Sequence, residues 1–130
     1  MAKVKDCPFC NPKNVGYRTV KNGVMCFAIH QEKYEVSKGH TLIIPRRHVS
    51  SYFDLTAGEI AEMHELSYKI KRDLEAKHSD IDGWNIGFNV GEAAGQTVFH
   101  VHMHLIPRRF GDVENPRGGV RGVIPEKQNY

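Results

Sequence analysis

No apolar run in this chain approaches the roughly 20 residues of a membrane span, and the opening Met1-Ala-Lys-Val-Lys-Asp6 has no apolar secretory core. A cytoplasmic protein with no membrane partner is the expectation. Cysteine is scarce: three residues cannot all pair within one chain. There is no internal repeat and no low-complexity tract, which excludes solenoid and linker-type organisation. An excess of charge of one sign is missing too. Eighteen basic residues face 15 acidic ones, a net of +3, and no basic extension is present. A nucleic-acid partner is therefore not expected, whereas mild positive charge suits a small anionic ligand.

What is present fits one soluble domain. At 130 residues the chain is long enough to bury about two-thirds of its unfolded surface around a single core. Residues 1–109 read as the domain, and 110–130, rich in Gly, Pro and Arg, as a surface tail. Lys21-Asn22-Gly23 is a hairpin turn leading into a strand from Val24 to His30. Cys26 lies in that strand as a small buried hydrophobe. A second apolar strand, His40 to Pro45, ends at its proline. Thr56-Ala-Gly-Glu59 fits a capping box that opens a helix, whose stripe is Ile60, Met63, Leu66, Ile70 and Leu74. Glu59, Glu62, Lys69, Lys71 and Arg72 are expected on its solvated faces. Trp84 to Val90 forms a third strand, followed by the loop Gly91 to Gln96. The sum is an α+β domain, a mostly antiparallel sheet carrying one long helix.

The most informative feature is the run Phe99-His-Val-His-Met-His-Leu-Ile-Pro107. On a strand, successive side chains point to opposite faces, so His100, His102 and His104 share one face while Val101, Met103 and Leu105 pack behind them. Imidazole can be nucleophile, proton carrier or metal ligand near neutral pH. A single ion held by all three is a poor fit. His100 and His104 are separated by about 13 Å of strand rise, against bonds of roughly 2.0–2.1 Å to zinc.

Cys7-Pro-Phe-Cys10 has competing meanings. The spacing suits a redox pair, but no strand precedes it and Pro12 would interrupt the helix that such a motif opens. A zinc site needs two further ligands, and unmetallated thiols are the remaining reading.

The run His-Val-His-Met-His-Leu-Ile resembles the signature of the histidine-triad superfamily. Gly39-His40-Thr-Leu-Ile-Ile-Pro-Arg-Arg-His48 is similar to that family's second block, and Asn89 with Gly95-Gln96-Thr97-Val98 to its phosphate-contacting segment. Leu105-Ile-Pro-Arg-Arg-Phe-Gly-Asp112 looks more like the dinucleoside polyphosphate hydrolase branch. The resemblance implies a homodimeric nucleotidyl hydrolase or transferase acting at the α-phosphate of a nucleotide. It makes His102 the nucleophile, with His104 and His40 beside the same phosphate. The Cys pair resembles the zinc sites of members completed by the histidine after the Pro-x-x block and the first of the triad, which here are His48 and His100. Phe9, Phe27 and Ile29 correspond to apolar base contacts, and Glu32 to the acid that binds the ribose hydroxyls.

From the residues alone, the glycines of the 91–97 loop let backbone amides approach an anion, with Gln96 and Thr97 adding donors. Arg108, Arg109 and the arginines of the tail offer charge for a longer phosphate chain, or are simply solvated. Two functions remain in contention: a hydrolase working through a covalent nucleotidyl-histidine, and a nucleotide-binding sensor with little turnover.

Overall fold

The computed structural model describes residues 4–11, 17–31 and 33–130. Five strands, β1 (Arg18–Asn22), β2 (Cys26–His30), β3 (Thr41–Pro45), β4 (Gly83–Gly87) and β5 (Met103–Arg108), form one sheet in the order β1-β2-β3-β5-β4. Every neighbouring pair is antiparallel. One helix, α1 (Ala57–Lys77), crosses one face. This is the α+β arrangement expected.

The sheet is buried on both sides at its centre, which is why β2 and β3 read as unbroken apolar runs. Cys26, Ala28, Ile43 and Leu105 point towards α1 and pack with Met63, Leu66 and Ile70. Phe27, Ile29, Leu42 and Ile44 point the other way and pack with Cys7, Phe9 and Cys10. Burial pushes the Cys26 thiol up to about 12, so this cysteine is an inert hydrophobe. The second cluster is the one on which the site is built.

Several local expectations change in detail. β1 was not foreseen; its Arg-Thr-Val-Lys-Asn sequence is too polar to announce a strand, and it forms only by pairing with β2 across a bulge between Thr19 and Lys21. The hairpin turn extends to Met25, so β2 begins at Cys26 rather than Val24. β4 stops at Gly87, three residues before Val90. The capping box is present, Thr56 Oγ1 accepting from the Glu59 N–H and the Glu59 carboxylate accepting from the Thr56 N–H. Ile60, first in the stripe, is 39% exposed, so the packed face runs from Met63 to Leu74.

Glu59 and Glu62 are not solvated as expected. Glu59 is only 4% exposed, because the Arg47 guanidinium meets it with two hydrogen bonds of 3.1 and 2.8 Å. That bidentate pair holds the Glu59 carboxyl below its ordinary range and ties the start of α1 to the turn after β3. Glu62 accepts from the Met25 and Cys26 amides, closing the β1–β2 turn onto the helix.

The segment after β5 folds back on itself through two 3₁₀ turns, Gly119–Val123 and Pro125–Lys127. Gln128 donates to the Asn115 and Arg117 carbonyls, and Arg117 and Arg121 both lie against the Tyr130 ring.

Replacing Glu59 with Ala removes a cap and leaves a partly buried guanidinium unpaired. The unfolding free energy should fall by about 2 kcal/mol. Glu65, in a surface pair with Lys69, should cost less than about 0.5 kcal/mol when changed to Ala. Chemical denaturation of the two variants makes the comparison, and equal losses would contradict the structural role given to Glu59.

Candidate active site and metal cluster

The face alternation of the histidine run holds: Val101 and Leu105 are in the helix-side core with Met103 packed against it, and the three imidazoles lie opposite. The expected strand does not extend as far. β5 begins at Met103, so only His104 sits in the ladder. Register explains this. β3 pairs with β5 from Thr41 opposite Leu105 to Ile43 opposite Met103, and continuing it would bring Pro45 opposite Val101. Pro45 has no N–H to give. Its carbonyl points towards the triad segment and accepts instead from His100 Nε2 at 2.7 Å.

That bond fixes the chemistry of His100. With the proton on Nε2, the Nδ1 lone pair faces Cys7 Sγ at 3.4 Å, Cys10 Sγ at 3.6 Å and His48 Nδ1 at 3.2 Å. His48 Nδ1 is in turn 3.2 Å from Cys10 Sγ. A tetrahedral ion with bonds of about 2.3 Å to sulfur and about 2.0–2.1 Å to nitrogen spaces its ligand atoms roughly 3.3–3.8 Å apart. The four donors lie within 4.8 Å of one another, and Cys7, Cys10 and His100 are buried. Burial pushes the Cys7 thiol up, so a thiolate at this position needs a cation beside it. The residues that the sequence nominated therefore come together as a cluster that could hold a metal ion.

The other imidazoles are also set by their partners. His102 Nδ1 donates to the His100 carbonyl at 2.9 Å, which leaves its Nε2 as a free lone pair. His40 Nδ1 accepts the Val36 N–H at 3.1 Å, so its proton is on Nε2. That nitrogen approaches His104 Nδ1 at 2.9 Å and donates to it. A neutral His104 must then carry its proton on Nε2. The two ring centroids of His102 and His104 are 5.2 Å apart. Of these two neighbouring rings, one has a lone pair at Nε2 and the other an Nε2–H.

Burial keeps these rings uncharged. Desolvation, then the neighbouring His30 and His102, lowers His40 to about 4. Desolvation, then His102 and His40, lowers His104 to about 4 as well. Burial also lowers His102, opposed by its bond to the His100 carbonyl.

Other candidates are placed less directly. Phe9, Phe27 and Ile29 join one buried cluster with Leu42 and Ile44, and Tyr17 and Val98 pack against it. Gly91 and Gly95 adopt φ of +89° and +92°, conformations natural to glycine, and frame the loop that ends in the triad. Gln96, expected to offer a donor, is buried and spends its amide on the loop: Oε1 accepts from the Gly91 N–H, and Nε2 donates to the Ser50 and Val98 carbonyls. Asn89, Gly95 and Thr97 are exposed.

Arg108 is bound by Asp112 and Asn85. Arg109 donates from Nη1 to the Lys38 carbonyl and lies 3.3 Å from Asp80, while its buried Nε makes no hydrogen bond among the described residues. Arg108 is thus committed to the fold rather than held out for a second phosphate. Glu32 lies outside the described residues. Its neighbour Gln31, which the sequence reading passed over, has a buried Oε1 with no hydrogen-bond partner among the described residues. Only the burial of that amide distinguishes it, and sequence carries no signal for that.

A five-stranded antiparallel sheet with one long helix and a histidine-lined face defines a small α+β domain. The chain belongs to the HIT domain family, whose model matches residues 16–111. It is 33% identical over 130 aligned residues to an uncharacterized HIT-like protein of Saccharolobus solfataricus, covering 94% of this chain and 85% of that one. It is 42% identical to the asymmetrical bis(5'-nucleosyl)-tetraphosphatase of Schizosaccharomyces pombe over 57% of this chain and 40% of that protein. Several other curated relatives are matched over about half their length, as with a Mycobacterium tuberculosis HIT-like protein at 52%. Among solved structures, a Zn-bound histidine triad family protein from Mycobacterium smegmatis superposes with a TM-score of 0.74 at 32% identity, covering 85% of this chain and 80% of that one.

The tautomers and low pKa values are directly measurable. Between pH 6.5 and about 4 the unfolded chain binds protons at His40 and His104 that the folded one does not. Their contribution to stability is therefore complete above pH 6.5 and is lost as pH falls towards 4. Long-range ¹H–¹⁵N spectra at pH 6 should show both rings neutral and protonated at Nε2. Titration of either ring near pH 6.5 would contradict this arrangement.

Proposed function

We propose that the chain is a nucleotide hydrolase that cleaves at the α-phosphate of a dinucleoside polyphosphate, or of a nucleoside phosphoramidate, through a covalent nucleotidyl-histidine. The observation that carries this reading is the His102–His104 pair, neighbouring rings of which one keeps a lone pair at Nε2 and the other an Nε2–H. His102 Nε2 attacks phosphorus, forming a P–N bond as the bond to the leaving group breaks. The leaving phosphate departs as its anion, stabilised by a hydrogen bond from the His104 Nε2–H, and the leaving amine of a phosphoramidate takes its proton from solvent. The bond from His40 Nε2 to His104 Nδ1 fixes the tautomer that presents this donor. Water then attacks the adduct, the P–N bond breaks, and a nucleoside monophosphate is released.

The remaining roles follow from position. The loop through Asn89, Gly95, Gln96, Thr97 and Val98 lies at the entry to the triad and offers backbone N–H groups to the phosphate oxygens, with Gln96 holding its shape. Phe27 and Ile29 wall the nucleoside side, while Phe9 faces the His102 ring. Glu32, or the partnerless Gln31 Oε1 beside it, receives the ribose hydroxyls. Cys7, Cys10, His48 and His100 would hold a zinc ion, whose four protein ligands would leave no open position for substrate, so it would brace the fold rather than react. β4 is a sheet edge paired only to β5, and we assign it to the contact between two copies in a homodimer. No helix among the described residues is long and apolar enough to cross a membrane.

Acid quenching of the protein with a radiolabelled dinucleoside tetraphosphate should trap an acid-labile, protein-bound nucleotide that turns over. His102→Ala should abolish the adduct and slow turnover by about 10³-fold or more, with binding of a non-hydrolysable analogue retained. Tight binding without product from the wild-type chain would favour the sensor instead. Metal analysis should give one zinc per chain, lost in Cys10→Ser; less than a tenth of an equivalent in the folded wild type would remove zinc from this account.

A further inference from the structure

We infer that Phe9 is a positioning residue for the His102 ring, and that metal occupancy of the Cys7, Cys10, His48 and His100 cluster is what keeps Phe9 in place. This rests on His102 being the nucleophile and goes beyond it by making alignment of that nucleophile conditional on the metal.

The attachment of the N-terminal segment carries the inference. Residues 4–11 contain no strand and no helix. Among the described residues their backbone hydrogen bonds stay inside the segment: Cys7 N–H to the Val4 carbonyl, and the Cys10 and Asn11 amides to the Cys7 carbonyl. The Asn11 side chain likewise turns back to Val4 and Lys5. Among the described residues, two things join this turn to the sheet. One is the meeting of its two sulfurs with His48 and His100. The other is the Phe9 ring.

Phe9 is 3% exposed and meets the His102 ring edge-on, with centroids 4.8 Å apart and planes at 63°. It also touches His100 at 6.1 Å and Tyr17 at 5.8 Å. Pro8 fixes the backbone next to it, so Phe9 moves with the cysteines on either side. Among the described residues the His102 ring has one hydrogen bond, from Nδ1 to the His100 carbonyl. A single bond at one edge of a ring sets its tautomer but leaves a hinge. Phe9 supplies the wall that stops rotation about it. The carbonyl that forms the hinge belongs to a metal ligand as well, so both supports of the nucleophile lead back to the same four donors.

Without a cation, those donors have only S–H and N–H contacts with which to hold the turn. Phe9 should then loosen, and the His102 lone pair should sample orientations off the line of attack. A misplacement of about 1 Å in a reacting group costs on the order of 10²-fold in rate. The alternative for Phe9 is a direct contact with the base, and it has a different kinetic signature.

The test uses the full chain labelled with ¹⁵N-histidine, zinc-loaded or treated with a chelator, as wild type, Phe9→Ala and Phe9→Leu. Removing zinc from the wild type should move the His102 ring signals while those of His40 stay in place. Phe9→Ala, with zinc content retained, should move the His102 signals similarly. It should also slow adduct formation by about 10–100-fold, with the Kd of a non-hydrolysable analogue changed by less than about threefold. Phe9→Leu, which keeps the bulk, should lie between, and it decides the matter if the alanine variant does not fold.

Zinc removal from the Phe9 variant should add little further change, because the two act through one support. A weakened analogue Kd with an intact adduct rate would make Phe9 a base contact and overturn the proposal. So would fully additive effects of metal removal and substitution, or His102 signals that ignore the metal. If the zinc-loaded wild type forms no adduct, the hydrolase reading fails, while the spectra still decide whether the metal and Phe9 hold the ring.

Discussion

His100 gives three of its polar groups to different neighbours, and much of the site depends on that division. Nε2–H goes to the Pro45 carbonyl, Nδ1 turns to the cysteine pair, and the backbone oxygen accepts from His102 Nδ1. The first bond ties the triad segment to β3 at the point where proline ends the ladder. It also forces the tautomer that frees Nδ1 for a metal. The third bond forces the tautomer of the adjacent functional ring. One fully buried imidazole thus converts the end of a strand into a reference point for both the cluster of four possible metal ligands and the unbonded nitrogen of His102.

The sheet makes this possible by being covered on both sides. Cys26, Ala28, Ile43 and Leu105 anchor it to α1, and Arg47 with Glu59 locks the helix start to the turn that carries His48. The opposite face is closed by the Cys7–Cys10 turn and by Phe27, Ile29, Leu42 and Ile44. A histidine row set into such a face is desolvated, and desolvation is the first cause of the low pKa of His40, His100 and His104. An exposed row on an edge strand would titrate near 6.5 and be partly protonated at neutral pH.

Much of this was legible in the chain because local rules sufficed. The capping box at Thr56, the apolar runs of β2 and β3, and the alternation of the triad are properties of neighbouring residues. The four clustered donors could be nominated by resemblance, and the fold brings them together. Other features depend on partners distant in sequence. β1 exists only against β2. The start of β5 at Met103 follows from a missing N–H on Pro45, 58 positions earlier by the register of the sheet. Glu59 looks like one more helix-surface acid until Arg47 is folded against it. Gln96 looks like a donor for a ligand until Gly91, Ser50 and Val98 claim its amide. Arg108 and Arg109 look like free charge, yet Asp112, Asn85, Asp80 and the Lys38 carbonyl occupy them. Polar side chains are the hardest to place from sequence, since the same group serves either a ligand or the backbone depending on what lies beside it.

That commitment of the arginines bears on how a site of this kind treats a phosphate. With Arg108 and Arg109 in internal pairs, and with His40 and His104 neutral, the described triad presents an anionic ligand with N–H dipoles rather than full positive charges. Dipoles held by a rigid frame need little reorganisation as charge moves during a reaction. A neutral imidazole also carries a lone pair that can accept a hydrogen bond, which a guanidinium does not. The chain from Val36 N–H through His40 to His104 therefore fixes the His104 Nε2–H as an oriented donor rather than supplying a full positive charge. A lone pair on His102 kept free at neutral pH is the counterpart of that choice: the burial that makes the neighbouring rings weak bases is also what leaves the central nitrogen unprotonated and available.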